Sequence, residues 1–106
     1  MVDVLINVPK TAQKGAVVEI KVLISHPMET GFRAGPDGKV LPRDIIQRFT
    51  CTYEGEEVFR ADLYPSTAAN PYLSFTTRAV ASGTLVMTWT GDNGFAHTEQ
   101  AAISVA

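Results

Sequence analysis

Apolar and polar residues alternate along most of this chain, and the alternation predicts strands. The cleanest run is Val17 to Ser25. Val18, Ile20, Val22 and Ile24 share one face, while Glu19, Lys21 and Ser25 share the other with Leu23. A period of two sets one face on a core and the other in water. Val2 to Val8 alternates more loosely, with Val4, Ile6 and Val8 opposite Asp3 and Asn7. Gln47 to Tyr53 groups Phe49, Cys51 and Tyr53; Glu57 to Leu63 groups Phe59, Ala61 and Leu63. Three more strands are predicted. Tyr72 to Val80 turns Leu73 and Phe75 inward, Thr84 to Thr90 does so with Leu85, Met87 and Trp89, and His97 to Val105 with Ala101, Ile103 and Val105.

Turn-forming residues separate these runs. Pro9 to Gly15 reads as a link, and Glu54-Gly55-Glu56, Ala81-Ser82-Gly83 and Gly91-Asp92-Asn93-Gly94 as tight turns. Two crossings are longer. The first, His26 to Pro42, is interrupted by Pro27, Pro36 and Pro42. Pro27 lacks a ladder donor and biases His26 towards extended backbone, so the third run is expected to stop there. Gly35-Pro36-Asp37-Gly38 marks a hairpin tip, with Phe32-Arg33 set against Lys39-Val40. Arg43 to Ile46 fits either one helical turn or a lead into the next strand. The second crossing is Tyr64 to Pro71. About seven short antiparallel strands, no helix longer than a turn and two long crossings predict an all-β protein. The expected architecture is an immunoglobulin-like β-sandwich with Greek-key connections and Trp89 as its central aromatic.

The 106 residues suit one domain over 1–106, and 45% hydrophobic residues can fill its core. The net charge is −2, and its 9 basic and 11 acidic residues form no basic run, which argues against nucleic acid as a partner. No apolar stretch approaches the roughly 18–20 residues of a membrane helix. The first residues show no basic and apolar export signal, so none of its own is expected. The single cysteine, Cys51, excludes an internal disulfide. Its place mid-strand on an apolar face predicts a buried thiol.

Candidate chemistry is sparse. Cys51 as a nucleophile would need His26 or His97 as its base. His26, Glu29, His97 and Glu99 are the residues from which a metal site, or a small enzyme using His26 and Glu29, would be built. His97 and Glu99 share a face, but nothing in the spacing joins them to the other pair. No glycine-rich phosphate loop is present, and no cofactor is predicted. The loops also hold Met28, Phe32, Tyr64, Tyr72 and Phe95, with Arg33 nearby. That composition suits a protein interface, and equally suits side chains folded back over the ends of a sandwich.

Five stretches, in order and spread over nearly the whole chain, carry a family resemblance. They are His26-Pro27-Met28-Glu29-Thr30-Gly31, Cys51-Thr52-Tyr53, Glu56-Glu57-Val58-Phe59, Ala69-Asn70-Pro71-Tyr72 and Thr88-Trp89-Thr90-Gly91-Asp92-Asn93-Gly94. Together they resemble SoxZ, the Z subunit of the SoxYZ carrier of bacterial sulfur oxidation. The resemblance implies a non-catalytic scaffold for SoxY, whose arm cysteine carries the sulfur and which visits the other sulfur-oxidation enzymes in turn. This chain ends without a glycine-rich cysteine tail, so it is not expected to be the loaded subunit. The resemblance also implies the periplasm, reached together with SoxY. The partner-facing surface is expected to include His26, Met28, Glu29, Phe32, Arg33, Asp92, Asn93 and Phe95. A homodimer of the isolated chain, a disulfide from Cys51 to SoxY, and an unrelated adhesion or chaperone module stay open as alternatives.

Overall fold

In a computed structural model, which describes residues 3–106, the alternating runs form strands and the punctuated segments connect them. The strands are β1 (Val4–Asn7), β2 (Thr11–Ala12), β3 (Val17–Ile24), β4 (Ile46–Tyr53), β5 (Glu56–Asp62), β6 (Tyr72–Arg78), β7 (Gly83–Gly91) and β8 (Ala96–Val105). Val2, expected at the start of the first strand, lies outside the described residues.

Two sheets face each other. One runs β1-β3-β6, the other β2-β8-β7-β4-β5. This is the expected immunoglobulin-like sandwich. One pair departs from the expected antiparallel set: β2 lies parallel to β8, with Thr11 opposite Ser104. The link expected over Pro9 to Gly15 therefore contains a short strand. After Pro9 the chain leaves the sheet of β1 and joins the opposite one.

The inward faces fill the space between the sheets. Ile20, Val22 and Ile24 come from β3; Phe49 and Cys51 from β4; Leu85, Met87 and Trp89 from β7. Trp89 is central, with its ring 5.0 Å from that of Phe49. Phe59 stacks on Phe75 across the sheets at 4.2 Å. Such aromatic pairs contribute about 0.5–1.5 kcal/mol each beyond their area. Cys51 is 0% exposed, as its alternation predicts.

Between β4 and β5, Glu54 and Gly55 both take positive φ, 50° and 83°. Two left-handed residues are what a tight primed hairpin turn requires. The register then slips between Cys51 and Thr52, leaving Val58 as a bulge.

Both long crossings, 25–45 and 63–71, pass between the sheets at the same end of the sandwich, where the 91–95 turn also lies. Arg43 to Ile45 forms no helical turn; Glu29 bridges Asp44, and the chain runs straight into β4. The ribbon pairs Ala34 with Val40, two residues along from the Phe32–Val40 pairing that the expected ribbon would make. Its Leu41 N–H donates to the Arg33 carbonyl at 2.8 Å. At the far end the Tyr53 hydroxyl accepts from the N–H groups of Val80 and Ala81, at 3.3 and 3.2 Å. The molecule measures 58 × 21 × 20 Å. Its longest strand, ten residues in β8, accounts for only about 33 Å of that length. The loops at the ends supply the rest.

Candidate functional site

The loop end is built around two locks. The first holds His26. Its backbone N–H donates to Asn70 Oδ1 at 2.9 Å, and its carbonyl accepts from the Asn70 N–H at 2.8 Å. Asn70 holds a left-handed φ of 54°, which asparagine tolerates better than most residues. The ring of His26 is 4% exposed. Its Nδ1 accepts from the Met28 N–H at 3.0 Å, which leaves the ring proton on Nε2. The Asp44 carboxylate lies 3.8 Å from Nε2, and Phe95 meets the ring edge-on at 5.0 Å.

Met28 is also 4% exposed. Its thioether sulfur accepts from the Ile46 N–H at 3.3 Å. His26 and Met28 were expected on the partner-facing surface. The structure corrects this: both side chains point into the sandwich and close its end. Pro27 ends the ladder but not the alternation, so positions 26 and 28 stay on the face of Ile20, Val22 and Ile24.

The second lock is Asp92. Its carboxylate receives Arg43 through two bonds, Nε at 2.8 Å and Nη2 at 2.9 Å. It also accepts from the Ile45 N–H at 3.1 Å and from the Gln47 side-chain amide. The Asp92 N–H donates back to the Ile45 carbonyl at 2.9 Å. Gly91 lets the strands come this close, because a Cβ there would collide with the Ile45 carbonyl. Asn93 and Gly94 then reverse the chain with φ of 59° and 73°. The Arg43 hydrogen bonds, helped by Ile45 and Gln47, hold the Asp92 carboxyl below its ordinary range against the opposing pull of burial. Asp92 and Phe95, expected at the partner surface, are half-buried and structural here; Asn93 is exposed.

Glu29 and Arg33 do lie on the surface side. Arg33 reaches Glu29 at 2.6 Å and holds its carboxyl below the usual range. Phe32 stands out in water, 85% exposed. The four residues from which a metal site was considered do not assemble. His97 pairs with Glu99 at 2.8 Å. Among the described residues no three His, Cys, Asp or Glu side chains gather closely enough to hold a metal ion. Cys51 offers no nucleophile, since burial pushes its thiol up to about 11. A disulfide from it to a partner would require opening the core.

Sequence reasoning missed the members that come from elsewhere in the chain: Arg43, Asp44, Gln47 and Asn70. Of the exposed apolar side chains it singled out Phe32, Tyr64 and Tyr72 as interface candidates, but not Leu5 or Val40. Among the described residues the large exposed ones are Leu5, Val17, Phe32, Val40, Tyr64, Tyr72 and Val80. Five of these seven, all but Val17 and Val80, lie at the loop end. Beside them an open depression of about 540 Å³ runs between Arg43, Arg48 and Tyr64. Its arginines are already engaged, by Asp92 and Asp62.

No curated protein matches the chain. Among solved structures, a superoxide reductase (neelaredoxin) from Ignicoccus hospitalis has a TM-score of 0.75 at 18% identity, over 97% of this chain and 80% of that one. The sulfur carrier protein SoxY from Chlorobium limicola f thiosulfatophilum has a TM-score of 0.68 at 19% identity, over 97% of this chain and 78% of that one. At these identities both are likenesses of fold. The family described as sulphur oxidation protein SoxZ matches residues 6–102. Since that match spans all eight strands but the first residues of β1 and the last of β8, the chain belongs to the SoxZ family.

Proposed function

We propose that this chain is the non-catalytic subunit of a sulfur carrier pair. It binds SoxY and holds it for the enzymes that load and unload the carried sulfur. Membership of the SoxZ family supports a carrier subunit. The observation that carries the binding role is the gathering of exposed large apolar side chains at one end, with Phe32 85% exposed and the locks of His26 and Asp92 fixing the loops beneath it. Aromatic and apolar groups on a rigid base have the composition of interface anchors, and a fixed base reduces the entropy lost on binding. Glu29, Arg33 and Asn93 rim this end and contribute polar contacts. The site of action is the periplasm, reached in company with SoxY.

The test is size-exclusion chromatography with mass detection, on this chain alone and mixed with SoxY. A stable one-to-one complex supports the reading. If no complex forms under reducing or oxidising conditions, the reading fails. A metal-binding or enzymatic role for His26 and Glu29 has no comparable support. His26 spends Nδ1 on the Met28 backbone, and Glu29 is taken up by Arg33.

A further inference from the structure

Leu5, Leu23 and Tyr72 stand directly side by side across the outer face of the three-stranded sheet. The register sets Leu5 opposite Leu23 and Leu23 opposite Tyr72. Leu5 is 70% and Tyr72 56% exposed. The row lies at the loop end, with Leu23 three residues before His26 and Tyr72 immediately after Pro71. Open depressions of about 370 and 310 Å³ flank it, one towards Ser25 and Asn70, the other towards Lys21 and Asn7.

The outer face of the opposite sheet is different. Its central row, Thr50, Thr88 and Thr98, is ordinary for a solvated sheet face, and Thr88 and Thr98 hydroxyls approach to 3.4 Å. An exposed Leu-Leu-Tyr row is not ordinary in this sense. Apolar side chains so aligned and flanked by hollows mark a docking surface.

We infer that the Leu5–Leu23–Tyr72 row is the seat of SoxY on this chain. This deepens, and rests on, the reading of the chain as the SoxY-binding subunit. Two observations select the occupant. The face carries Asp3 and Glu19 against Lys21 and Arg78, and Glu19 and Lys21 pair with each other at 3.4 Å. With two charges of each sign it has no net field to hold a polyanion or an anionic membrane, which favours a protein face as its partner. The second is area. Three strands of up to eight residues form a flat footprint of roughly 350 Å², a narrow seat for a stable pair, which buries ~800 Å² of accessible surface on each side. The occupant must therefore also reach round to the adjoining loop end, where Phe32 and Tyr64 are exposed. SoxY has a sandwich of this fold and a chain longer than the shared part, so it offers both a flat face and additional segments. Tyr72 enters between the subunits with its hydroxyl at the rim, and the two leucines supply the apolar floor.

The experiment is a titration of SoxY against the wild-type chain, Tyr72→Ala and Leu5→Ala, with the thermal midpoint and mass of each free chain measured alongside. The expected result is affinity weakened about fivefold or more by each substitution, with the midpoint unchanged. As a second measurement independent of folding, hydrogen exchange of the wild-type chain is compared with and without SoxY; protection is expected over 4–7, 21–25 and 72–74. A wild-type complex with unchanged affinity in both variants and no protection there overturns the assignment of the face while leaving the carrier reading intact. No wild-type complex overturns both. Loss of a homodimer in Tyr72→Ala with SoxY affinity untouched gives the face to a second copy of this chain and overturns the assignment.

Discussion

Asp92 and Arg43, 49 residues apart in the chain, meet through two parallel hydrogen bonds of 2.8 and 2.9 Å. This pairing ties the turn after β7 to the segment that enters β4. Bidentate charge-assisted bonds of this kind are specific in geometry as well as favourable. Asp92→Ala should lower the melting temperature by several degrees and raise hydrogen exchange at the backbone amides of Ile45 and position 92, with the far end around Tyr53 unaffected. Differential scanning calorimetry with residue-resolved exchange checks this.

The same pairing predicts an acid response. The Asp92 and Glu29 carboxyls are held below their ordinary values by Arg43 and Arg33. A group with a depressed folded pKa stabilises fully above its unfolded value, about 4 for these residues. That contribution is lost as pH falls through the folded values. Melting temperature should therefore fall below about pH 4. In Asp92→Asn the fall should be shallower.

Met28 and Phe32 should separate cleanly. Removing the buried Met28 side chain leaves a cavity, and Met28→Ala should cost about 2–5 kcal/mol in urea unfolding. Its folded fraction should still bind SoxY. Phe32→Ala should leave stability within about 0.5 kcal/mol and weaken SoxY binding about fivefold or more. If Phe32→Ala instead lowers stability and leaves affinity alone, the exposed ring is not an anchor.

The Cys51 thiol should be silent in the native protein. With its pKa pushed up to about 11 by burial, it should react with a thiol reagent at pH 8 only after denaturant is added. The stability linked to it runs opposite to that of Asp92. A raised folded pKa contributes fully below the unfolded value of about 8.5, and the contribution is lost as pH rises towards 11. Cys51→Ala should remove this alkaline component and leave the mass of the SoxY complex unchanged under non-reducing denaturing conditions.

Much of the sandwich was legible because alternation is a local signal. Val18 to Ile24 and Leu85 to Trp89 display their buried faces in the sequence itself. β2 was not, because two residues carry no period, and its pairing with Ser104 and Val105 is a relation across the whole chain. At the loop end the difficulty was Pro27. It reads as a stop, yet Ile24, His26 and Met28 continue one buried face through it. The Asp92 lock was invisible for another reason: its partners Arg43, Ile45 and Gln47 come from a segment whose own sequence suggests nothing in particular. The outer row did leave a trace. Leu5 and Leu23, like Val17 at the far end of β3, are apolar residues standing on the polar sides of their strands, and Tyr72 stands opposite the inward Leu73.

The long outline of the molecule has a consequence for handling it. A radius of gyration of 16.2 Å compares with about 13 Å for a rounded chain of this length. Such a particle drags more water and diffuses more slowly than its mass suggests. On a gel-filtration column calibrated with spherical standards, the monomer will elute earlier than its mass alone predicts. Light scattering or sedimentation equilibrium will report the true mass.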